Sequence, residues 1–394
     1  MKKKLILLVI LAFSFVYCKA QNEGRVTIHT DQVEMFNNLM SYSEEKAGGK
    51  LDYKTSDKAQ LKIAYDKNAK DSRLNKLIDN LLSSDAYSDE VVKYVRTNHF
   101  KKAKGKEAYR IAHTVLPDYC INITAGMSHH WVSYWNSLYK HLVDSVLVEL
   151  KANENEIVES IKAKCKELLP DDADMNSNID IHIIVDGNRS GFQTGNMIII
   201  DAYNANVVDM NKFINTLTHE MHHVYYMLWL DEKKTDNKHN KSKNYLYMYQ
   251  KSFIMEGLAQ SFNNFSPEVK QMYANKKLIT ELFDEWILMI RKMNGAFPKI
   301  KSMKYQKNEY KNAIRRMEQY YPGKIDSYVN RPTALYYLSY NIYNSIFESG
   351  GRDKIKYVIE NPETLLSVYN ELYSDSMVVP RIPDDVVTIW KNNF

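Results

Sequence analysis

Residues 209 to 230 read Asp209-Met210-Asn211-Lys212-Phe213-Ile214-Asn215-Thr216-Leu217-Thr218-His219-Glu220-Met221-His222-His223-Val224-Tyr225-Tyr226-Met227-Leu228-Trp229-Leu230. The stretch holds no Gly or Pro, and Phe213, Ile214, Leu217, Met221, Val224 and Leu228 recur at helical spacing. That pattern predicts a helix over about 210–230, with Asp209 as its N-cap. Near the middle lies an HExxH string, in which His219 and His223 flank Glu220. Residues four apart share a helical face about 6 Å from one another, so two imidazoles can converge on one cation. Zinc takes nitrogen, sulfur or oxygen ligands in tetrahedral geometry, and a catalytic site draws three from the protein and leaves the fourth to water. The string supplies two ligands and, in Glu220, a base beside the open position.

With 11 His in 394 residues, such a string arises by chance in roughly one or two chains per hundred, so its context decides its weight. A third ligand must come from elsewhere. The best candidate is Glu256, in Phe253-Ile254-Met255-Glu256-Gly257-Leu258-Ala259-Gln260, which also reads as helix. A Gly inside a helix costs about 1 kcal/mol relative to Ala, so Gly257 asks for a reason, and close approach of two helices supplies one. Gly257 and Ala259 both suit a tight crossing.

The pair His-Glu-Met-His-His and Met-Glu-Gly-Leu-Ala resembles the gluzincin metallopeptidases, in which an HExxH helix and a Glu on a later helix bind one zinc. The chain looks most like an uncharacterised family of zinc-dependent peptidases secreted by bacteria, with the resemblance spanning about residues 179–350. By that resemblance His219, His223 and Glu256 are zinc ligands, Glu220 is the general base, and the fold is a zincin-like core with a small β-sheet. No third His follows a few residues beyond His223, so the metzincin pattern is not met. The spacing from His223 to Glu256 is longer than in the best-known gluzincins. Gluzincin-like peptidases also place a Tyr or His from a downstream helix near the oxyanion. Tyr336 and Tyr340, on one face of a helix that begins after Pro332, are the candidates here, and core packing is the competing reading for both.

A chain of 394 residues with 44% apolar content can bury a large core in one big domain or two. The first twenty residues read as a secretory signal: Lys2, Lys3 and Lys4, an apolar run from Leu5 to Val16, and a polar end before Ala20. That run is too short to span a bilayer, which needs about 20 residues. Cleavage after Ala20 leaves Gln21 first and places the site outside the cytoplasm, secreted or periplasmic. Cys18 offers lipid anchoring as the alternative, although Phe15, Val16 and Tyr17 put bulk where a small residue is expected. No later segment is apolar and long enough to cross a membrane. Loss of Lys2, Lys3, Lys4 and Lys19 with the signal takes four of the 53 basic residues against 48 acidic ones, so the net charge falls from +5 to +1. A near-neutral mature chain lacks the basic face that nucleic-acid binding requires. The mixed Lys run over 231–243 reads as a solvated loop. Cys120 and Cys165 can pair in an oxidising compartment or remain buried thiols; neither has zinc-binding spacing.

The expected architecture is α+β and predominantly helical: a helical N-terminal region over 21–175 and a zincin-like region over 176–394, divided at the polar stretch Asp171 to Asn178. Helices are expected near 31–46, 70–83, 87–98, 105–115 and, as one long rod, 128–169. Val26-Thr27-Ile28, Ile179 to Val185 and Asn196 to Ile200 read as strands, with Asp186-Gly187-Asn188 and the glycines at 191 and 195 marking the connection. Met197 to Ile200 either offers its edge to an extended peptide or sits in an internal hairpin with both edges covered. From 246 onward the chain is helical, with interruptions at Phe297-Pro298, Tyr321-Pro322-Gly323, Arg331-Pro332 and Pro380. His222 points about 100° away from His223 and either packs or faces water. The adjacent His129 and His130 diverge on a helix and read as structural, and His182 has no evident partner. Together these features indicate a zinc-dependent peptidase acting on a peptide or protein. The alternatives are a zinc hydrolase of another amide or ester, and a helical binding protein in which HExxH is accidental.

Overall fold

A computed structural model describes residues 24–49, 71–84, 86–87, 133–185, 191–202, 209–233, 245–262, 270–271, 273–299 and 334–394. The signal segment with Cys18, the helices expected at 87–98 (beyond Tyr87) and 105–115, Cys120, His129, His130, most of the 231–243 loop, and the breaks at Tyr321-Pro322-Gly323 and Arg331-Pro332 lie outside them. The fold is α+β and predominantly helical, in two compact units: residues 1–158 with 176–217, and residues 159–175 with 218–394.

The first unit carries the sheet. Strands β1 (Val26–His29) and β2 (Ile179–Ile184) run parallel, with Val26 opposite Ile179. Part of the connection expected over 186–195 is itself a strand. Chain β3 (Gly191–Thr194) turns through Gly195 and Asn196 into β4 (Met197–Asp201), and β4 inserts between β3 and β2 to give the order β1-β2-β4-β3. A two-residue hairpin needs positive φ at its first turn position, and Gly195 supplies it at 60°. Because β4 pairs parallel with β2 and antiparallel with β3, both its edges are used. The open-edge reading of Met197 to Ile200 is thereby corrected: a central strand has no free backbone groups to offer a peptide. Its near-continuous isoleucines follow from the same position, since Ile198, Ile199 and Ile200 are buried whichever face they point to.

Helix α1 (Asp31–Ala47) packs on β2 through a stripe of Val33, Phe36, Leu39 and Met40, and α2 (Ser72–Leu82) packs on α1. His182 does have partners: Gln32 Nε2 donates to its Nδ1 at 3.2 Å, and its ring stacks on that of His29 at 4.5 Å. The expected rod over 128–169 is interrupted in its described part: a helical stretch at 133–135 and a turn at 136–138 precede α3 (Tyr139–Ala152) and α4 (Glu154–Lys166). The break between α3 and α4 falls at Asn153, whose backbone N–H and side-chain amide both donate to the Glu149 carbonyl.

Helix α5 (Met210–Lys233) holds the HExxH string. In the second unit follow α6 (Tyr245–Ala259), ending in a 3₁₀ turn at Gln260–Phe262, then α7 (Lys276–Lys299), α8 (Ala334–Glu360), α9 (Leu365–Leu372) and α10 (Asp384–Asn393). Pro298 does not break α7 but sits in its last turn, where the helix is about to end. Helix α8 is kinked at Gly351. Phe253, Trp286 and Trp390 bring α6, α7 and α10 together, with Phe253 5.3 Å from Trp286 and 5.5 Å from Trp390 between ring centroids. Gln250 Nε2 donates to the Trp390 carbonyl at 2.8 Å inside this cluster.

Candidate metal centre

Asp209 starts α5 as expected: its Oδ1 accepts from the Lys212 amide at 3.2 Å, which satisfies one of the donors left open at a helix start. Ten residues on, the His219 and His223 side chains lie one above the other, with ring centroids 4.6 Å apart and Nε2 atoms 3.1 Å apart. Glu256, on α6, turns Oε2 toward both, 3.5 Å from His219 Nε2 and 3.6 Å from His223 Nε2. Among the described residues these three form the one group of His, Cys, Asp or Glu whose ligand atoms converge in this way.

The separations test whether a metal fits. Four ligands at about 2.0–2.1 Å from a tetrahedral ion lie about 3.3 Å from each other, and the three observed edges of 3.1, 3.5 and 3.6 Å bracket that value. Oε2 of Glu256 is buried and has no hydrogen-bond partner. A buried carboxylate oxygen left this way costs free energy that a cation at the focus would recover. Two imidazole nitrogens turned toward the same point repel unless a proton or a metal lies between them. The donor set of two nitrogens and one oxygen suits zinc.

The electrostatics agree. Burial alone would raise the Glu256 pKa, but the imidazoles, His223 foremost, outweigh it and hold the carboxyl well below its usual range. Burial works to lower the His219 pKa, yet the pull of Glu256 and Glu220 and the nearby Ala259 carbonyl leave it raised. Glu220 is 8% exposed, and burial pushes its pKa up, against the attraction of both histidines. His222 resolves in favour of packing: it is fully buried, its Nε2 donates to the Leu168 carbonyl at 2.9 Å, and burial first of all takes its pKa down to about 3. Its ring packs beside Tyr226 and Phe262. Cys165 is a buried thiol, with Sγ 3.4 Å from the Thr218 carbonyl on the neighbouring helix.

Gly257 does mark a tight crossing, and the partner is α8. A Cβ at Gly257 would lie 2.5 Å from Tyr343 Cδ2 and 2.9 Å from Ser339 Cβ. Tyr336, in the first turn of α8, belongs to a group of four tyrosines. Tyr273 has its ring 4.5 Å from Tyr337 and 4.9 Å from Tyr340, and its pKa is driven up by burial and then by Tyr337, Tyr336, Tyr340 and Glu256. Nothing in the sequence singles out Tyr273 among 29 tyrosines, and the contact of α6 with α8 spans too many residues to be legible from any local pattern.

A helical α+β chain with an HExxH helix and an acidic residue presented by a later helix defines the zincin-like class. Residues 98–376 match the DUF5700 family, described as "Putative zinc dependent peptidase", and the chain belongs to that family. No curated protein and no solved structure matches the chain.

Proposed function

We propose that the protein hydrolyses peptide bonds, with His219, His223 and Glu256 holding one zinc ion and Glu220 acting as general base. The observation that carries this reading is the convergence of two Nε2 atoms and Oε2 at the edge lengths of a tetrahedron; the family described above supports it. Zinc bound there supplies Lewis acidity, acidifying water and polarising the scissile carbonyl. Glu220, one residue past His219 and on the adjoining flank of α5, takes the proton from the attacking water. Its burial raises its proton affinity, which suits a group that must accept a proton and then return it to the leaving amine. Tyr336 is proposed as the donor to the developing oxyanion, on the resemblance to gluzincin-like peptidases and its place in the first turn of α8, the helix that α6 crosses at Gly257.

The proposed setting is outside the cytoplasm, which rests on Lys2 to Lys4, the run Leu5 to Val16, and Ala20. Among the described residues no helix is long and apolar enough to cross a membrane. N-terminal sequencing of the exported chain discriminates Gln21, for a free protein, from Cys18, for a lipid-anchored one.

The deciding experiment measures zinc by mass spectrometry and peptidase activity on a peptide library for the wild type, Glu220→Gln, Glu256→Ala and the His219→Ala, His223→Ala double variant. Expected are one zinc per chain in the wild type and in Glu220→Gln, weakened binding in Glu256→Ala, none in the double variant, and peptide cleavage by the wild type alone. Peptide cleavage that survives Glu220→Gln would sink the assigned base. Absence of zinc in the reconstituted wild type would leave HExxH an accident of sequence.

A further inference from the structure

The Glu256 side chain reaches the two histidines only if α6 sits at one height against its neighbours, and the crossing that sets this height is one residue away. Gly257 has ordinary helical backbone angles, so no left-handed conformation calls for glycine there; the requirement is for an absent side chain. Its would-be Cβ meets Tyr343 Cδ2 at 2.5 Å, and Tyr343 Cε2 and Ser339 Cβ at 2.9 Å. Neither wall can retreat: Ser339 and Tyr343 are buried, and Ser339 Oγ donates to the Tyr336 carbonyl one turn back. A displacement of α6 therefore moves Glu256 Oε2 relative to both His219 Nε2 and His223 Nε2.

We propose that Gly257 is the positioning residue of the metal centre: the contact of its bare Cα with Ser339 and Tyr343 fixes how far Glu256 extends toward His219 and His223, and so sets the metal affinity. This rests on the reading of those three residues as zinc ligands. Helix α8 contributes no atom to that ligand set and acts as the abutment that keeps it in register. Groups that orient a ligand typically change metal affinity by about 10- to 100-fold when altered.

The test is a zinc titration of the full mature chain in competition with a chromophoric chelator. Gly257→Ala is expected to weaken zinc binding by about 10- to 100-fold with the helical circular dichroism retained. Adding Tyr343→Ala, which opens the crossing, is expected to restore much of the affinity. Gly350→Ala serves as the packing control, because a Cβ there meets Leu372 Cδ1 and Lys354 Cβ at 2.8 Å, a similar crowding elsewhere on α8. It is expected to lower the melting temperature and leave zinc affinity in place. If Gly257→Ala does not fold, Ser339→Thr crowds the same crossing by one methyl group and is titrated in its stead, with the same weakening expected. Affinity in the crowded variant within about twofold of the wild type, or an equal loss in Gly350→Ala, overturns the proposal while leaving the zinc site intact. A wild type that takes up no zinc overturns the site itself, and this proposal with it.

Discussion

Glu220 and His222 stand two residues apart on one helix and are both buried, yet their surroundings assign them opposite duties. Glu220 sits with the converging imidazoles, and burial raises its proton affinity against their attraction, so its carboxyl is poised to exchange a proton. His222 is held by one carbonyl and two aromatic rings and stays neutral. Glu220→Gln keeps the shape and removes the base, and should lower kcat by about 10²- to 10⁴-fold with zinc stoichiometry unchanged. His222→Ala removes the partner of the Leu168 carbonyl and leaves a cavity, and should cost about 2 kcal/mol in urea unfolding with zinc still bound. A His222→Ala protein that binds no zinc although folded would show that this residue belongs to the centre and not to its packing.

At the scale of elements, local pattern accounts for what was legible. The 210–233 helix, its Asp209 cap, the strands at 26, 179 and 197, and the helix presenting Glu256 all follow from periodicity and cap chemistry within a short window. Strand β3 was missed because Gly191-Phe192-Gln193-Thr194 is short and begins with glycine; only its pairing with β4 makes it a strand. The break at Asn153 was missed because the apolar repeat runs across it. Tertiary clasps are equally illegible, as between α1 and α2. Asp71 caps α2 by accepting from the Leu74 amide at 2.9 Å, and it also accepts from Lys46 and from Tyr42, both on α1. The Leu74 amide first, then Lys46, hold its carboxyl down to about 2. The folded pKa lies below the unfolded value of about 3.9, so the stabilisation is complete above about pH 4 and disappears as the pH falls toward 2. Asp71→Asn preserves a capping oxygen and removes the charge. It should cost about 1 kcal/mol at pH 7, after allowance for solvent screening, and should flatten the loss of stability between pH 4 and 2. Parallel acid unfolding of variant and wild type over that range would show that the clasp contributes nothing.

Over the whole molecule, the three converging groups belong to the second unit: two on the part of α5 beyond residue 217, and one on α6. These segments are far apart in sequence, so a shared ion bridges chain that the unfolded state leaves separate. An ion that binds the folded form and not the unfolded one stabilises it by about 2.7 kcal/mol at a free concentration 100 times its dissociation constant. For a unit of this size that is worth several degrees in melting temperature. The stabilisation should be read out segment by segment as hydrogen-exchange protection, because local opening of α5 or α6 must release the ion. Zinc is therefore expected to slow exchange most in peptides covering 218–233 and 245–262, and to slow it in α8 through the crossing at Gly257. Glu256→Ala should reduce all three gains together, while the chelator should reverse them in the wild type. Protection that rises equally in the His219→Ala, His223→Ala double variant would mean that zinc acts at some other place on the chain, and the centre built on α5 and α6 would have to be abandoned.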